Sequence, residues 1–161
     1  MVDTEVLFRI ADAAEGEGNL QLARQSFERG ASLGSVECLT RLAYIYDVGL
    51  GVEADKALAM RLYQRAWRRG REIVAANNIA ILYRERGDHR AMFKWFCRAA
   101  DEGDGSAALD MAKCYLTGHG AQRDQAAALR CLASALQSVY ISEAEREEAT
   151  ALMAGFAPYA V

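Results

Sequence analysis

Proline is almost missing from this sequence: Pro158, near the end, is the only one. Its ring removes a backbone donor and clashes with the preceding turn, so its absence elsewhere leaves helix permitted throughout. Histidine is nearly as scarce, with only His89 and His119. A Cys114/His119/Cys131 metal set can be drawn, but its spacing follows no zinc pattern and it lacks a fourth ligand. No apolar run approaches the roughly 20 residues that a membrane-spanning helix needs. Neither sign of charge dominates. The 19 basic and 22 acidic residues give a net charge of −3, which argues for no particular partner class.

The four cysteines (Cys38, Cys97, Cys114 and Cys131) form no paired spacing, and all sit within helical patterns. They read as buried, reduced thiols. The opening MVDTEVLFRIADAA places acids inside its apolar pattern and has no basic leader, which is not the form of a signal peptide. Together these features lead us to expect a cytoplasmic protein.

What the sequence does contain is a repeat. The stretch from Gly34 to Gly70 reads as two short helices joined by a turn, and it recurs 69 residues later: Gly34 falls on Gly103, Leu42 on Met111, Ala43 on Ala112, Tyr46 on Tyr115, Gly49 on Gly118, Gly51 on Gly120, Asp55 on Asp124, Ala59 on Ala128 and Ala66 on Ala135. The same shift sets Ile10 on Ile79, Ala11 on Ala80 and Phe27 on Phe96, and a shift of 36 sets Asn19 on Asp55 and Phe27 on Tyr63. A fixed period of a few tens of residues marks a solenoid, because one helix pair cannot bury its apolar face alone.

Within the central unit, Cys38, Leu42, Ala43, Ile45 and Tyr46 share one helix face, as do Ala59, Leu62, Tyr63 and Ala66. Asp55 suits an N-cap, and Gly49 and Gly51 suit the turn. Elsewhere the pattern predicts helices over 4–15, 19–32, 72–85, 88–102, 105–116 and 124–137, with turns alternating short and long. The inward residues are expected to be Val6, Leu7, Ile10, Ala11 and Ala14 in the first helix; Ala75, Ile79, Ala80 and Tyr83 in the fifth; and Met92, Trp95, Phe96 and Ala99 in the sixth. Ser142 and Glu145 fit a capping box, opening a last helix with Ala149, Leu152, Met153 and Phe156 inward and Glu143, Glu145, Glu147 and Glu148 outward. The expected fold is therefore an all-α, right-handed α-solenoid in a single domain spanning 1–161. It has four helix-turn-helix repeats, about 4–34, 35–70, 71–103 and 104–139, and a C-terminal capping helix over about 142–156.

These residues resemble the Sel-one-like (Sel1-like) repeat family, a branch of the tetratricopeptide-type helical repeats. The central unit carries the resemblance in Leu42, Ala43, Tyr46, Gly49-Leu50-Gly51-Val52, Asp55, Ala59, Tyr63, Ala66 and Gly70. The third unit carries it in Asn78, Ile79, Ala80, Tyr83, Trp95-Phe96 and Ala99-Ala100. Ala43, Ala80 and Ala112 stand where the family usually has glycine, two turns are shortened, and the per-repeat cysteine pair of some secreted members is absent.

The resemblance implies a bacterial adaptor or scaffold that binds a protein or peptide on the concave face lined by first helices. The first-helix positions not spent on packing are expected to be Phe8, Asp12, Glu37, Thr40, Tyr44, Asp47, Asn77, Ile81, Arg84, Leu109, Lys113 and Leu116. A second surface is the acid-free run holding Lys56, Arg61, Arg65, Arg68, Arg69 and Arg71, which reads either as a solvated helix face or as a docking patch for an acidic partner or another copy of the chain. Neither nucleic acid nor membrane is expected as a partner, and the chain is expected to be a monomer or weak dimer. Two rival classes remain, a self-associating structural protein and a hydrolase using Cys or His. No phosphate-cradling loop or oriented nucleophile is present, so neither an enzyme nor a cofactor is expected.

Overall fold

The structure, a computed structural model, describes residues 3–156. Among these residues there are nine helices and no strand: α1 (Thr4–Gly16), α2 (Leu20–Ser32), α3 (Val36–Val48), α4 (Lys56–Gly70), α5 (Ile73–Glu85), α6 (His89–Asp101), α7 (Gly105–Thr117), α8 (Gln125–Gln137) and α9 (Glu143–Ala154). The fold is all-α and built of helix-turn-helix repeats, and the turns within successive helix pairs alternate short and long as the sequence predicts. The chain condenses into two compact units, Met1–Ala75 and Ala76–Val161, with the boundary inside α5.

Local chemistry sets the helix starts. Asp3, Asn19, Ser35, Asp55, Asp88, Asp104, Asp124 and Ser142 each accept a hydrogen bond from a backbone N–H in the first turn of the helix that follows. Such a cap contributes about 1 kcal/mol. The Ser142–Glu145 capping box is present in both directions. Helix α5 is capped differently: the Glu72 carboxylate accepts from Val74 N (3.2 Å) and Ala75 N (2.7 Å).

In the first unit, α1 packs on α2, α2 on α3 and α3 on α4. Leu7, Ala11 and Ala14 of α1, Phe27 of α2, Cys38, Leu39 and Ala43 of α3, and Tyr63 and Ala66 of α4 are all buried. In the second unit, α6 packs on α7, α7 on α8, and α9 on both α8 and α7. Ala112, Ala128, Leu132, Ala135 and Ala149 form its closed centre, with Leu152, Met153 and Phe156 packed against it. Arg146 ties α9 down by donating to the carbonyls of Leu136 (2.6 Å) and Ser138 (3.0 Å).

Two expectations about inward faces fail. Val6 and Ile10 are exposed, since the helix that packs on α1 within the first unit is α2 and it leaves that side open. Glu145 is half-buried rather than wet, since its carboxylate accepts from Ser106 Oγ on α7 (2.9 Å) as well as closing the capping box.

The long turns are seated on the preceding helix pair. A Cβ built on Gly51 would stand 2.8 Å from Leu20 Cβ, and one on Gly120 would stand 2.1 Å from the His89 carbonyl oxygen. Leu20 and His89 each begin the second helix of the pair before. Glycine is required at both places twice over, by the close approach and by φ values of 68° and 84°.

Candidate functional surfaces

In the first unit, the expected binding positions divide by burial. Asp12, Glu37 and Tyr44 are exposed, and Phe8 is half-buried with its ring edge-on to Phe27 at 5.7 Å. The Arg41 guanidinium lies 5.3 Å from the centre of the Tyr44 ring and pairs with Glu15, which fixes the aromatic face that Tyr44 presents. Phe8 and Glu37, with Thr4, Glu5 and Ser35, line a hollow of about 350 Å³.

Thr40 and Asp47, expected to be free of packing, are buried. Thr40 donates to the Val36 carbonyl (3.0 Å) and to Glu72 (3.3 Å). Asp47 accepts from Lys56 (2.6 Å) and from the Tyr63 hydroxyl (3.4 Å). A buried carboxylate needs such partners, so both residues serve the fold. Burial, then the nearby Asp47 charge, holds the Tyr63 phenol well above its ordinary range.

In the second unit, Leu109 is also removed from the exposed set, because it lies inside the closed centre of α7 and α8. Asn77 is half-buried and donates to Asp104, whose carboxyl burial pushes upward. Ile81 and Leu116 are half-buried. Arg84 and Lys113 line one cleft of about 190 Å³ whose floor includes Met92, Phe96 and Cys114. Lys113 Nζ stands 2.8 Å from Glu148 and 3.6 Å from Asp110. Burial raises the Asp110 carboxyl, with Lys113 and Arg84 pulling the other way.

His89 and His119 stand at the rim of this cleft, stacked with ring centres 5.3 Å apart and an interplanar angle of 21°. Nothing in the sequence links the two histidines. They meet because Gly120 seats the long turn on the first residue of α6, and a contact across 30 positions leaves no local signal. Among the described residues no group of three or more His, Cys, Asp or Glu side chains could hold a metal ion.

The thiols are poorly suited to nucleophilic work. All four are free, Cys38 and Cys114 are buried, and Cys97 and Cys131 are half-buried. Burial first, and then neighbouring acids, push Cys97 and Cys114 up to about 11, so neither is a thiolate at neutral pH. In the native chain at pH 8, Cys38 and Cys114 should therefore react with Ellman's reagent far more slowly than in denaturant, where all four titrate. Four fast equivalents from the folded protein would show that α3 and α7 are not closed as described.

The basic run on α4 is exposed at all six positions. Lys56 pairs with Asp47, the Arg71 guanidinium lies 5.2 Å from the centre of the Trp67 ring, and Arg69 reaches the Ala31 carbonyl at 3.5 Å. Tyr63, as expected, and Trp67 are buried.

A family model described as the Sel1 repeat matches residues 36–70, 74–104 and 105–138, more than half of the chain. The α1–α2 pair lies outside those segments, although it makes the same helix-turn-helix. The fold is similar to that of a Sel1 repeat protein from Oxalobacter formigenes, with TM-score 0.78 at 20% identity, covering 86% of this chain and 60% of that one. It is also similar to that of a protective antigen from uropathogenic Escherichia coli strains displaying an SLR fold. There the TM-score is 0.73 at 23% identity, over 83% of this chain and 30% of that one. This chain thus spans less than two thirds of the length of either.

Proposed function

Because this chain belongs to the Sel1 repeat family, we propose that it is an adaptor that binds a protein or peptide partner through the exposed sides of its first helices. Sel1 repeats are generally protein–protein interaction modules. The observation that carries the finer reading is the cleft in the second unit, where Arg84 and Lys113 stand over an apolar floor. Tyr44 on α3 is the corresponding candidate in the first unit, exposed and held by Arg41. Tyr and Arg are over-represented at binding hot spots because each adds rigid area together with hydrogen bonds. The compartment that fits four free thiols is the bacterial cytoplasm, where thiols stay reduced.

The test is capture of a partner from native lysate, its identification by mass spectrometry, and titration against Tyr44→Ala and Arg84→Ala made separately. At least one should weaken binding by roughly 2 kcal/mol, about thirtyfold. Stability should move by no more than about 0.5 kcal/mol, as for exposed substitutions generally. The matched control is Arg65→Ala with Arg69→Ala on α4. Loss of capture in the control, with normal binding by both first-helix variants, would move the docking surface to the basic face. The exposed cations of α4 also support a second reading, self-association through that face. Light scattering that rises with concentration and collapses in salt would favour it.

A further inference from the structure

The repeat supplies an internal comparison of which helix faces need covering. Aligning the first helices on their small central residue sets Ala11 of α1 over Ala43 of α3, Ala80 of α5 and Ala112 of α7. Val6 then corresponds to Cys38, Ala75 and Ala107; Ile10 to Leu42, Ile79 and Met111; and Ala13 to Ile45, Leu82 and Cys114. Every counterpart is buried except Met111, which is half-buried. Val6 is 42% exposed, Ile10 is 44% exposed, and Ala13 is exposed as well. Single exposed apolar residues need no account. Here three positions on one helix face are open although their counterparts are closed.

What closes that face can be read inside each unit. In the first, α2 lies against α3, and its backbone comes down so closely that a Cβ built on Gly30 would stand 2.3 Å from the Cys38 sulfur. In the second, α6 lies against α7. In both cases the cover is the second helix of the pair before. Charge narrows the occupant for α1 further. Asp3, Glu5, Asp12 and Glu17 are exposed on this helix and its caps, and the single cation Arg9 stands 3.5 Å from Glu5. Two copies meeting through α1 would set these acids against one another. Docking on α9 of another copy would bring up Glu143, Glu147 and Glu148, which are exposed too. Like charges placed together at an interface disfavour it.

We propose that the Val6–Ile10–Ala13 face of α1 is a docking seat for an amphipathic helix of a separate partner protein. That helix carries a Gly or Ala where its backbone crosses Val6, as Gly30 does over Cys38, and basic residues along its rim.

The probe is a fluorescein-labelled peptide with the α2 sequence, residues 19–33, which contains Gly30, Phe27 and two arginines against one glutamate. Isolated helices of about this length are marginal, so Gln21→Lys and Gln25→Glu, both at exposed positions, are joined by a lactam to hold it helical. Fluorescence anisotropy against the full chain should show saturable binding that weakens as salt rises. Val6→Glu with Ile10→Glu should weaken it at least tenfold while the circular dichroism melt is unchanged, and Ala13→Glu serves as the milder variant should the pair unfold. No binding, or equal binding by wild type and folded variant, overturns the proposal. So does a wild-type dimer in sedimentation velocity that the same substitutions dissolve, since it gives the seat to a second copy.

Discussion

Ala43→Trp should lower the melting temperature by about 10 °C or more. Ala43 is fully buried at the centre of α3. Overpacking a well-packed site typically costs about 1–3 kcal/mol, occasionally more, and an indole is far larger than the few methylenes behind that range. At about 2–4 °C per kcal/mol for a chain of this size, a loss at or above the top of the range gives the stated shift. Ala112, the repeat-equivalent on α7, is equally closed, and Ala112→Trp should do the same in the second unit. Tyr44→Trp, one position along but exposed, should melt like the wild type. Normal melts for both alanine variants would show that the inward faces of the first helices are wrongly assigned.

Gly120→Ala should cost about 3 kcal/mol or more, although it adds one methyl group. The left-handed backbone, with φ of 84°, accounts for about 1–2 kcal/mol once a Cβ is present. The rest comes from the His89 carbonyl oxygen, 2.1 Å from the new carbon, with Phe93 Cβ at 3.0 Å. A backbone carbonyl at a helix start cannot swing away as a side chain can. Gly87→Ala isolates the dihedral component, because φ there is 76° and nothing lies within 4 Å of the built Cβ. Denaturant melts of the two variants give the contact penalty by difference. Equal losses would mean that the long turn is not seated on α6.

Much of the fold was legible because its determinants are local. The Asp55 cap, the Ser142–Glu145 box and the glycine turns each lie within a few residues of what they control. The four inward residues of α6 followed from helical periodicity alone. What failed was what depends on neighbours distant in sequence. The apolar pattern of α1 is the same as that of an interior helix, so Val6 and Ile10 read as inward although both are exposed. Leu109, Thr40 and Asp47 were read as free because a periodic pattern says nothing of how wide a buried face is. The stacked histidines and the Glu72 cap of α5 left no trace in composition or period.

The alternation of turn lengths also sets the length of the smallest interchangeable cassette. A long turn needs behind it a second helix whose first residue can receive glycine at close range, as Leu20 receives Gly51 and His89 receives Gly120. The short turns after α1 and α5 have no such requirement, and a Cβ built on Gly18 or Gly87 would meet nothing within 4 Å. Deleting the third pair would set two long turns in succession and take the His89 seat from Gly120, and deleting the first would take the Leu20 seat from Gly51. Grafts, deletions and tandem copies should therefore preserve function best in blocks of two pairs, cut at the short connections between pairs. The unit of exchange in this chain is then a double hairpin, about twice the length of each segment that the family model matches.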